Sequence, residues 1–216
     1  MANLNIVPNR TIGRISLYRR LLTSLREEGT KSIFSHDLAV MAGVTAAQVR
    51  RDIMSLGFSG SPVHGYDVDR LIESIGGFLD APEPEPVVLV GVGNLGRAIL
   101  SYFAGRRPNL VVVAAFDSDP QKVNRTISGC PCYGMDELPG FVAAHGIRIG
   151  VMTVPTAPAQ ALAETLVRAG IRGIMNFAPV PLRVPENTYV EQMDMTMSLE
   201  KVAFFTRQRS EREVAR

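Results

Sequence analysis

The chain has 216 residues, of which 46% are hydrophobic, and 23 basic against 21 acidic side chains give a net charge of +2. That is enough apolar material for one large or two small domains with a buried core. No run of 18 apolar residues argues for a membrane span, and the start Met-Ala-Asn-Leu-Asn lacks a charged region leading into an apolar one, so a cytoplasmic protein with no membrane partner is expected.

The small net charge hides an asymmetry. Residues 1–66 carry Arg10, Arg14, Arg19, Arg20, Arg26, Lys31, Arg50 and Arg51 against four acids, so the front of the chain is +4 and the remainder −2. The front is the part that would seek a polyanion. Over residues 11–28, Ile15, Tyr18, Leu21, Leu22 and Leu25 recur at helical spacing, which predicts a helix with most arginines on the opposite face. A short helix over 35–41, with Leu38 and Met41 facing inward, should end at Gly43. Thr45 then reads as an N-cap, and Gln48 three residues on completes a capping-box pattern. In the helix that follows, Ala46, Val49, Ile53 and Leu56 share one face. Ala47, Gln48, Arg51 and Ser55 lie outside, with Arg50 at the flank. A short helix, a Gly-containing turn and a second helix presenting Gln and Arg fit a helix-turn-helix. Arg can pair bidentately with guanine and Gln with adenine, while other arginines, Arg14 among them, and the cap Thr45 meet phosphates. An ordinary helical hairpin with solvated charges fits the same pattern.

Residues 58–66, Phe-Ser-Gly-Ser-Pro-Val-His-Gly-Tyr, carry the turn residues of a two-stranded wing, with His64 a wing contact or plain loop residue. Helical spacing resumes over 67–79, and Ala81-Pro-Glu-Pro-Glu-Pro86 cannot continue a helix. The expected division is therefore a winged helix over 1–80, a stiff linker over 81–86, a nucleotide-binding domain over 87–194 and a terminal helix with its tail over 195–216.

The second half opens on Val87-Val-Leu-Val-Gly91-Val92-Gly93-Asn94-Leu95-Gly96, a buried parallel strand turning into a helix through G-x-G-x-x-G. Gly91 permits the tight turn, Gly93 lets backbone approach a pyrophosphate and Gly96 lets helix sit close to strand. The helix N-terminus then faces the phosphates. An apolar run over 110–116 ends in Asp117, 21 residues past Gly96, where a carboxylate would bind the adenosine ribose and repel a 2′-phosphate. NAD(H) is thus expected over NADP(H). Further elements are a short helix beginning over 120–123, with Asp119 as its cap, a helix within 133–145, strands over 147–154 and 173–177, and a helix over 158–169. Their alternation implies a doubly wound parallel sheet. Thr153, Val154 and Pro155, and also Asn176 and Ala178, then stand at carboxyl ends of strands, the edge where such sheets bind ligands. Cys130 and Cys132 are too close for an ordinary staple and lack other ligands nearby, so two small apolar residues at a strand or turn are expected, with no metal site. A terminal helix over 196–208 carries Leu199, Val202, Ala203, Phe204 and Phe205, an apolar face that a partner subunit would bury.

Taken together, Val44-Thr-Ala-Ala-Gln-Val-Arg-Arg-Asp52, Gly65-Tyr-Asp-Val68, Val90-Gly-Val-Gly-Asn-Leu-Gly-Arg-Ala98, Ala114-Ala-Phe-Asp-Ser-Asp-Pro120, Thr153-Val-Pro155 and Asn176-Phe-Ala-Pro-Val180 resemble the Rex family of redox-sensing transcriptional repressors. The resemblance implies an α/β chain with a winged helix-turn-helix, a Rossmann-type parallel sheet and a C-terminal helix swapped between the subunits of a homodimer. It also implies binding to a palindromic operator and release by NADH, with NAD+ as the competing form. Gly91, Gly93, Asn94, Leu95 and Gly96 would hold the pyrophosphate and Asp117 the ribose. Tyr102 would sit near the nicotinamide, and Asp194 would reach the partner's cofactor region or pair with Arg20. The chain departs from the family in two places. Met54-Ser-Leu-Gly57 and a wing without Lys or Arg replace Ser-Tyr-Phe-Gly and a basic wing, and Cys130 and Cys132 stand where apolar residues are usual. A wing without its cation would grip phosphates less or read the minor groove differently.

Two other classes compete. A dehydrogenase needs a proton donor beside the nicotinamide and a substrate domain. The histidines at 36, 64 and 145 fall away from the expected ligand edge, leaving only Tyr102 as a donor and no residues for a substrate domain. A CoA-binding or purely structural Rossmann module explains the sheet and leaves the basic front idle.

Overall fold

The apolar spacing near the start winds into α1 (Asn9–Glu27), whose Ile15, Tyr18 and Leu22 are fully buried in a computed structural model describing residues 7–106 and 109–214. The chain divides into two compact units, Met1–Pro82 and Glu83–Arg216. In the first, α1 packs with α2 (Ser35–Ala42), α3 (Ala46–Ser55) and α4 (Val68–Leu79) around Leu38, Ala39, Val49, Ile53, Val68, Leu71 and Ile75. Full burial of each Leu, Ile or Val stabilises by about 1.5–3 kcal/mol. Helices of 8–12 residues, marginal alone, persist through that shared core.

Local detail corrects the sequence reading in places. Met41 is 44% exposed, because Leu38, Ala39 and Ala42 form the inward face of so short a helix. Gly43 ends α2 at φ 66°, and Thr45 caps α3 by accepting the Gln48 N–H at 3.2 Å. The capping box is half made, since the Gln48 side chain turns away to Asp52. The wing borrows one strand from elsewhere: β1 (Ser32–Ile33), which precedes α2, pairs antiparallel with β2 (Tyr66–Asp67). Residues 61–65 form the tip, closed by two 2.8 Å backbone hydrogen bonds between Ser61 and Gly65. Arg19 grips Asp80 through both carboxylate oxygens at 2.7 and 2.8 Å, tying α1 to the end of α4.

The second unit is built on a seven-stranded sheet. Its strands are β3 (Glu85–Val90), β4 (Leu110–Asp117), β5 (Arg125–Ile127), β6 (Cys130–Gly134), β7 (Ile149–Met152), β8 (Gly173–Asn176) and β9 (Tyr189–Gln192), in the spatial order 5-6-4-3-7-8-9. All pairings are parallel except β5 with β6. Counted from β3, the parallel strands run 3-2-1-4-5-6, the Rossmann order, whose switch point lies between β3 and β7. Helices α5 (Asn94–Phe103), α6 (Leu138–Ala144) and α7 (Thr156–Ala169) connect them. Val88, Val90, Phe116, Met152, Leu166 and Ile174 center one core cluster, while Leu89, Val92, Leu100, Ala115 and both cysteines center another.

Here too the expected boundaries shift. The first strand begins at Glu85, inside the stretch read as linker. Pro86 is tolerated there because it pairs with β4 alone, β7 joining only at Val87. Residues 120–123 form turns in place of a helix: the Asp119 carboxylate accepts the Gln121 N–H at 2.9 Å, and Asn124, at φ 61°, diverts the chain into β5. The helix expected within 133–145 is α6, and Tyr133 belongs to β6, where Cys130, Cys132 and Gly134 alternate inward. Strands β1, β5 and β9 had no counterpart in the sequence reading.

The last helix is α8 (Met195–Val214), capped by Asp194, which accepts the Met197 N–H at 2.8 Å. Leu199, Val202, Phe204 and Phe205 are 53–68% exposed on it. Residues 215–216 of the expected tail lie outside the described residues. Among the described residues no helix is long and apolar enough to cross a membrane.

Candidate functional site

Where β3 ends, the three glycines do separate work. Gly91 has φ 95°, and a Cβ on it would lie 2.8 Å from the Thr153 carbonyl oxygen. A Cβ on Gly96 would overlap the Gly91 carbonyl oxygen, so that glycine lets α5 close onto the strand. At Gly93 a Cβ would meet nothing within 4 Å and the φ is an ordinary −78°, so the chain's own fold does not demand glycine there. The free space at Gly93 faces a cavity of about 540 Å3 at the switch point. Gly91, Gly93, Asn94, Leu95, Asp117, Lys122, Thr153, Val154 and Pro155 are among its walls, and Leu162 and Met135 add apolar surface. An open backbone cradle at the N-terminus of α5 with a carboxylate among the cavity walls fits a pyrophosphate joined to a ribose.

Asp117 is 8% exposed, and its carboxylate is already engaged. Oδ2 accepts the Val92 N–H at 2.6 Å and the Lys122 ammonium at 3.1 Å, and Oδ1 accepts the Asp119 N–H at 2.9 Å. Burial alone would raise its pKa. The amides of Asp119 and Val92 and the Lys122 charge outweigh burial and hold the carboxyl below the ordinary range, so it is ionised. Thr153 donates its hydroxyl to the Gly91 carbonyl at 2.5 Å, fastening the ends of β3 and β7 on either side of the cavity.

Several residues expected at this site stand elsewhere. The Val92 side chain is fully buried in the core, and its N–H serves Asp117. Asn176 has no exposure: its amide donates to the carbonyls of Ala178 and Val180 and to Gln192, and its oxygen accepts the Ala178 N–H. It braces the Ala178 turn against β9, and neither residue is among the cavity walls. Tyr102 is 57% exposed on α5 with the Arg106 guanidinium 4.7 Å from its ring center. Asp194 caps α8 and lines a different hollow, of about 540 Å3, beside Met197, Leu199 and Val202. Both cysteines are buried free thiols, and burial, with its neighbor Cys132 adding, pushes Cys130 up to about 11. They are poor nucleophiles. Among the described residues no cluster could hold a metal ion.

In the helical unit, α3 presents Ala47, Arg50 and Arg51 outward, with Thr45 exposed at its cap. Arg51 donates to the Gln48 side-chain oxygen at 3.0 Å and Arg50 to the Ser35 hydroxyl at 3.0 Å. Ser55 donates to the Asp52 carbonyl at 2.6 Å, while His64 is exposed at the wing tip. Arg20 is exposed on α1. Arg14, expected among the phosphate contacts, is instead committed inward: its Nε and Nη2 hold Asp52 at 2.6 and 2.8 Å. Tyr18 and Gln48 donate to the same carboxylate at 2.9 and 2.8 Å. Asp52, which the sequence reading passed over, is 3% exposed, and these donors overcome burial to keep its pKa below the ordinary value. The available signal was its place beside Ile53 and three residues after Val49, on the inward side of α3.

A family model described as putative DNA-binding protein N-terminus matches residues 6–53, and one described as CoA binding domain matches residues 82–180. The redox-sensing transcriptional repressor Rex of Streptomyces avermitilis is 36% identical over 209 residues, spanning 97% of this chain and 83% of that one. Among solved structures, RSP, a Rex-family repressor, in complex with beta-NAD+ and operator DNA is similar with a TM-score of 0.88 at 30% identity, covering 98% of this chain and 97% of that one. RSP in complex with beta-NADH is similar with a TM-score of 0.87 at the same identity, covering 98% and 100%.

Proposed function

This chain belongs to the Rex family of redox-sensing transcriptional repressors, and we propose that it binds a palindromic operator as a homodimer and releases it when NADH occupies the cavity at the β3–β7 switch point. It reports the NADH/NAD+ ratio and performs no chemistry on the cofactor. The observation that carries this reading is the open space at Gly93 beside an ionised Asp117, in a chain whose other unit displays Arg50 and Arg51 on an exposed helix. A CoA-binding or structural module would leave that second feature without a task.

Residues 1–80 then act as the winged-helix domain, 81–84 as linker, 85–194 as the NAD(H) domain and 195–216 as the swapped helix and tail. Gly91, Gly93, Asn94 and Leu95 hold the pyrophosphate, with Gly96 behind them and Thr153, Val154 and Pro155 walling the nicotinamide half. Ala47 and Arg51 face the major groove, and Gln48, held between Asp52 and Arg51, orients the Arg51 guanidinium there. Thr45, Arg50, Ser55 and His64 contact the backbone. The exposed Leu199, Val202, Phe204 and Phe205 of α8 need a cover, and a second copy of the chain supplies it. In the dimer Asp194 meets the partner's cofactor region near Tyr102, or Arg20, which gives the dimer two arrangements to choose between. A repressor of this kind works in the cytoplasm, where the operator is.

NADH and operator are linked ligands: each weakens the other by the same factor, typically about 5–150-fold. Titrating NADH and NAD+ into a complex of the full chain with labelled operator, followed by gel shift, tests the reading. NADH is expected to release the DNA and NAD+ to leave it bound. Unchanged DNA affinity at saturating NADH would sink the proposal, and steady turnover of NADH with an added carbonyl substrate would make the protein an enzyme.

A further inference from the structure

The donors around Asp117 leave it short of what a ribose requires. An ionised carboxylate has about four lone-pair sites, two on each oxygen. Oδ2 is full, holding Val92 N–H and Lys122 Nζ, and Oδ1 has one site left beside the Asp119 N–H. A vicinal diol bound by a carboxylate alone hands one hydrogen to each of two acceptor sites. Only one is open here.

Lys122 supplies the complementary valence. Its ammonium has three N–H donors. One is spent on Asp117, and a second is directed toward Asp119, whose Oδ2 is 3.5 Å away. The side chain is 22% exposed and lines the cavity with Asp117, so the third donor is available to an oxygen arriving there. We infer that Lys122 is the second half of the ribose reader: Asp117 Oδ1 accepts a hydrogen from one ribose hydroxyl, and Lys122 Nζ donates to the oxygen of the other. This rests on the dinucleotide reading of the cavity.

The arrangement also sets how strongly a 2′-phosphate is refused. Asp117 and Asp119 with Lys122 between them present one net negative charge, whereas the same site without the lysine presents two. Lys122 therefore works in two directions. It strengthens NADH binding and softens the rejection of NADPH that Asp117 imposes.

The test uses the full chain and the fluorescence of NADH and NADPH in equilibrium titrations, with Lys122→Met, Lys122→Gln and Lys122→Arg compared against the parent. Loss of a charged hydrogen bond should weaken NADH about ten- to a hundredfold in the Met and Gln variants. NADPH should weaken by a larger factor than NADH, and Arg should restore most of both. Of the two NADH analogues that each lack one adenosine ribose hydroxyl, one should lose less affinity in Lys122→Met than in the parent and the other the same. Unchanged NADH binding in both Met and Gln variants would overturn the inference. Equal losses for NADH and NADPH would also overturn it, because a lysine that only props the loop would affect both alike. If the parent chain itself binds no NADH, the reading of the cavity fails first, and that result is distinct from either of these.

Discussion

Among the described residues each unit holds one deeply buried carboxylate, and the two differ in a single lone pair. Asp52 receives four side-chain donors: Arg14 Nε and the Tyr18 hydroxyl on Oδ2, Arg14 Nη2 and Gln48 on Oδ1. Asp117 receives three donors, two of them backbone amides, and keeps one position on Oδ1. A saturated carboxylate can only hold its neighbors in place, whereas an unsaturated one can still accept a ligand. Asp52 thereby ties α1 to α3 and fixes the angle at which the exposed helix face is presented. Asp117 ties the Gly-rich turn to the end of β4 and still faces the cavity. Burial, ionisation and proximity to basic side chains are common to both, so none of these separates a structural acid from a binding one.

The largest effect that would sharpen this contrast is on stability. Asp52→Ala strands Arg14, Tyr18 and Gln48 around an empty site, and breaking a buried pair from one side costs about 3 kcal/mol or more. Thermal unfolding of the full chain should show the helical unit melting several degrees earlier, with NADH affinity of the other unit unchanged. Asp117→Ala should behave in the opposite way. Lys122 and the Asp119 N–H can turn to water and only the Val92 N–H is left buried without its acceptor, so the melt should shift less than for Asp52→Ala, while NADH affinity falls about ten- to a hundredfold with the loss of a charged acceptor. If Asp117→Ala destabilises as much as Asp52→Ala and still binds NADH normally, Asp117 is a strut like Asp52 and the contrast collapses.

How far each site was legible beforehand follows from what fixes it. The Gly-rich turn was readable because Gly91 and Gly96 answer to backbone geometry that no other residue satisfies, and Asp117 stands at a spacing set by one strand-helix-strand unit. The inward place of Asp52 was readable from Val49 and Ile53, and its partner was not, because Arg14 lies 38 residues earlier and the two meet only when α1 packs on α3. Arg14 was accordingly read as a phosphate contact when its guanidinium faces inward. Lys122 was hidden by the expectation of a helix over 120–123. The turn closed by the Lys122 N–H on the Asp119 carbonyl at 2.9 Å brings the ammonium back to Asp117. Asn176 was placed correctly at a strand end, yet its amide is consumed by the turn it stabilises. Of α8 the sequence shows an apolar face, and among the described residues Leu199, Val202, Phe204 and Phe205 stand exposed on it.

Acid titration gives the smallest effect and the finest test of the saturated site. The folded pKa of Asp52 lies below its ordinary value of about 4, so its contribution to stability is fully present above that value and is lost as pH falls through the lower, folded one. On the alkaline side burial, with the hydrogen bond to Asp52 next, raises the pKa of Tyr18 above its ordinary value of about 10. Its contribution is therefore complete below about pH 10 and fades only above it. The network should hold steady across the whole neutral range and fail first in acid. Asp52→Asn removes the titrating group, and its amide cannot accept on the nitrogen side, so it should be less stable than the parent at pH 7. Below about pH 4 the parent should lose stability and the variant should not, through this group, so the gap between their melting temperatures should narrow. A gap that stays constant from pH 7 down to pH 3 would mean that the Asp52 charge contributes nothing, and that the four donors hold α3 by packing alone.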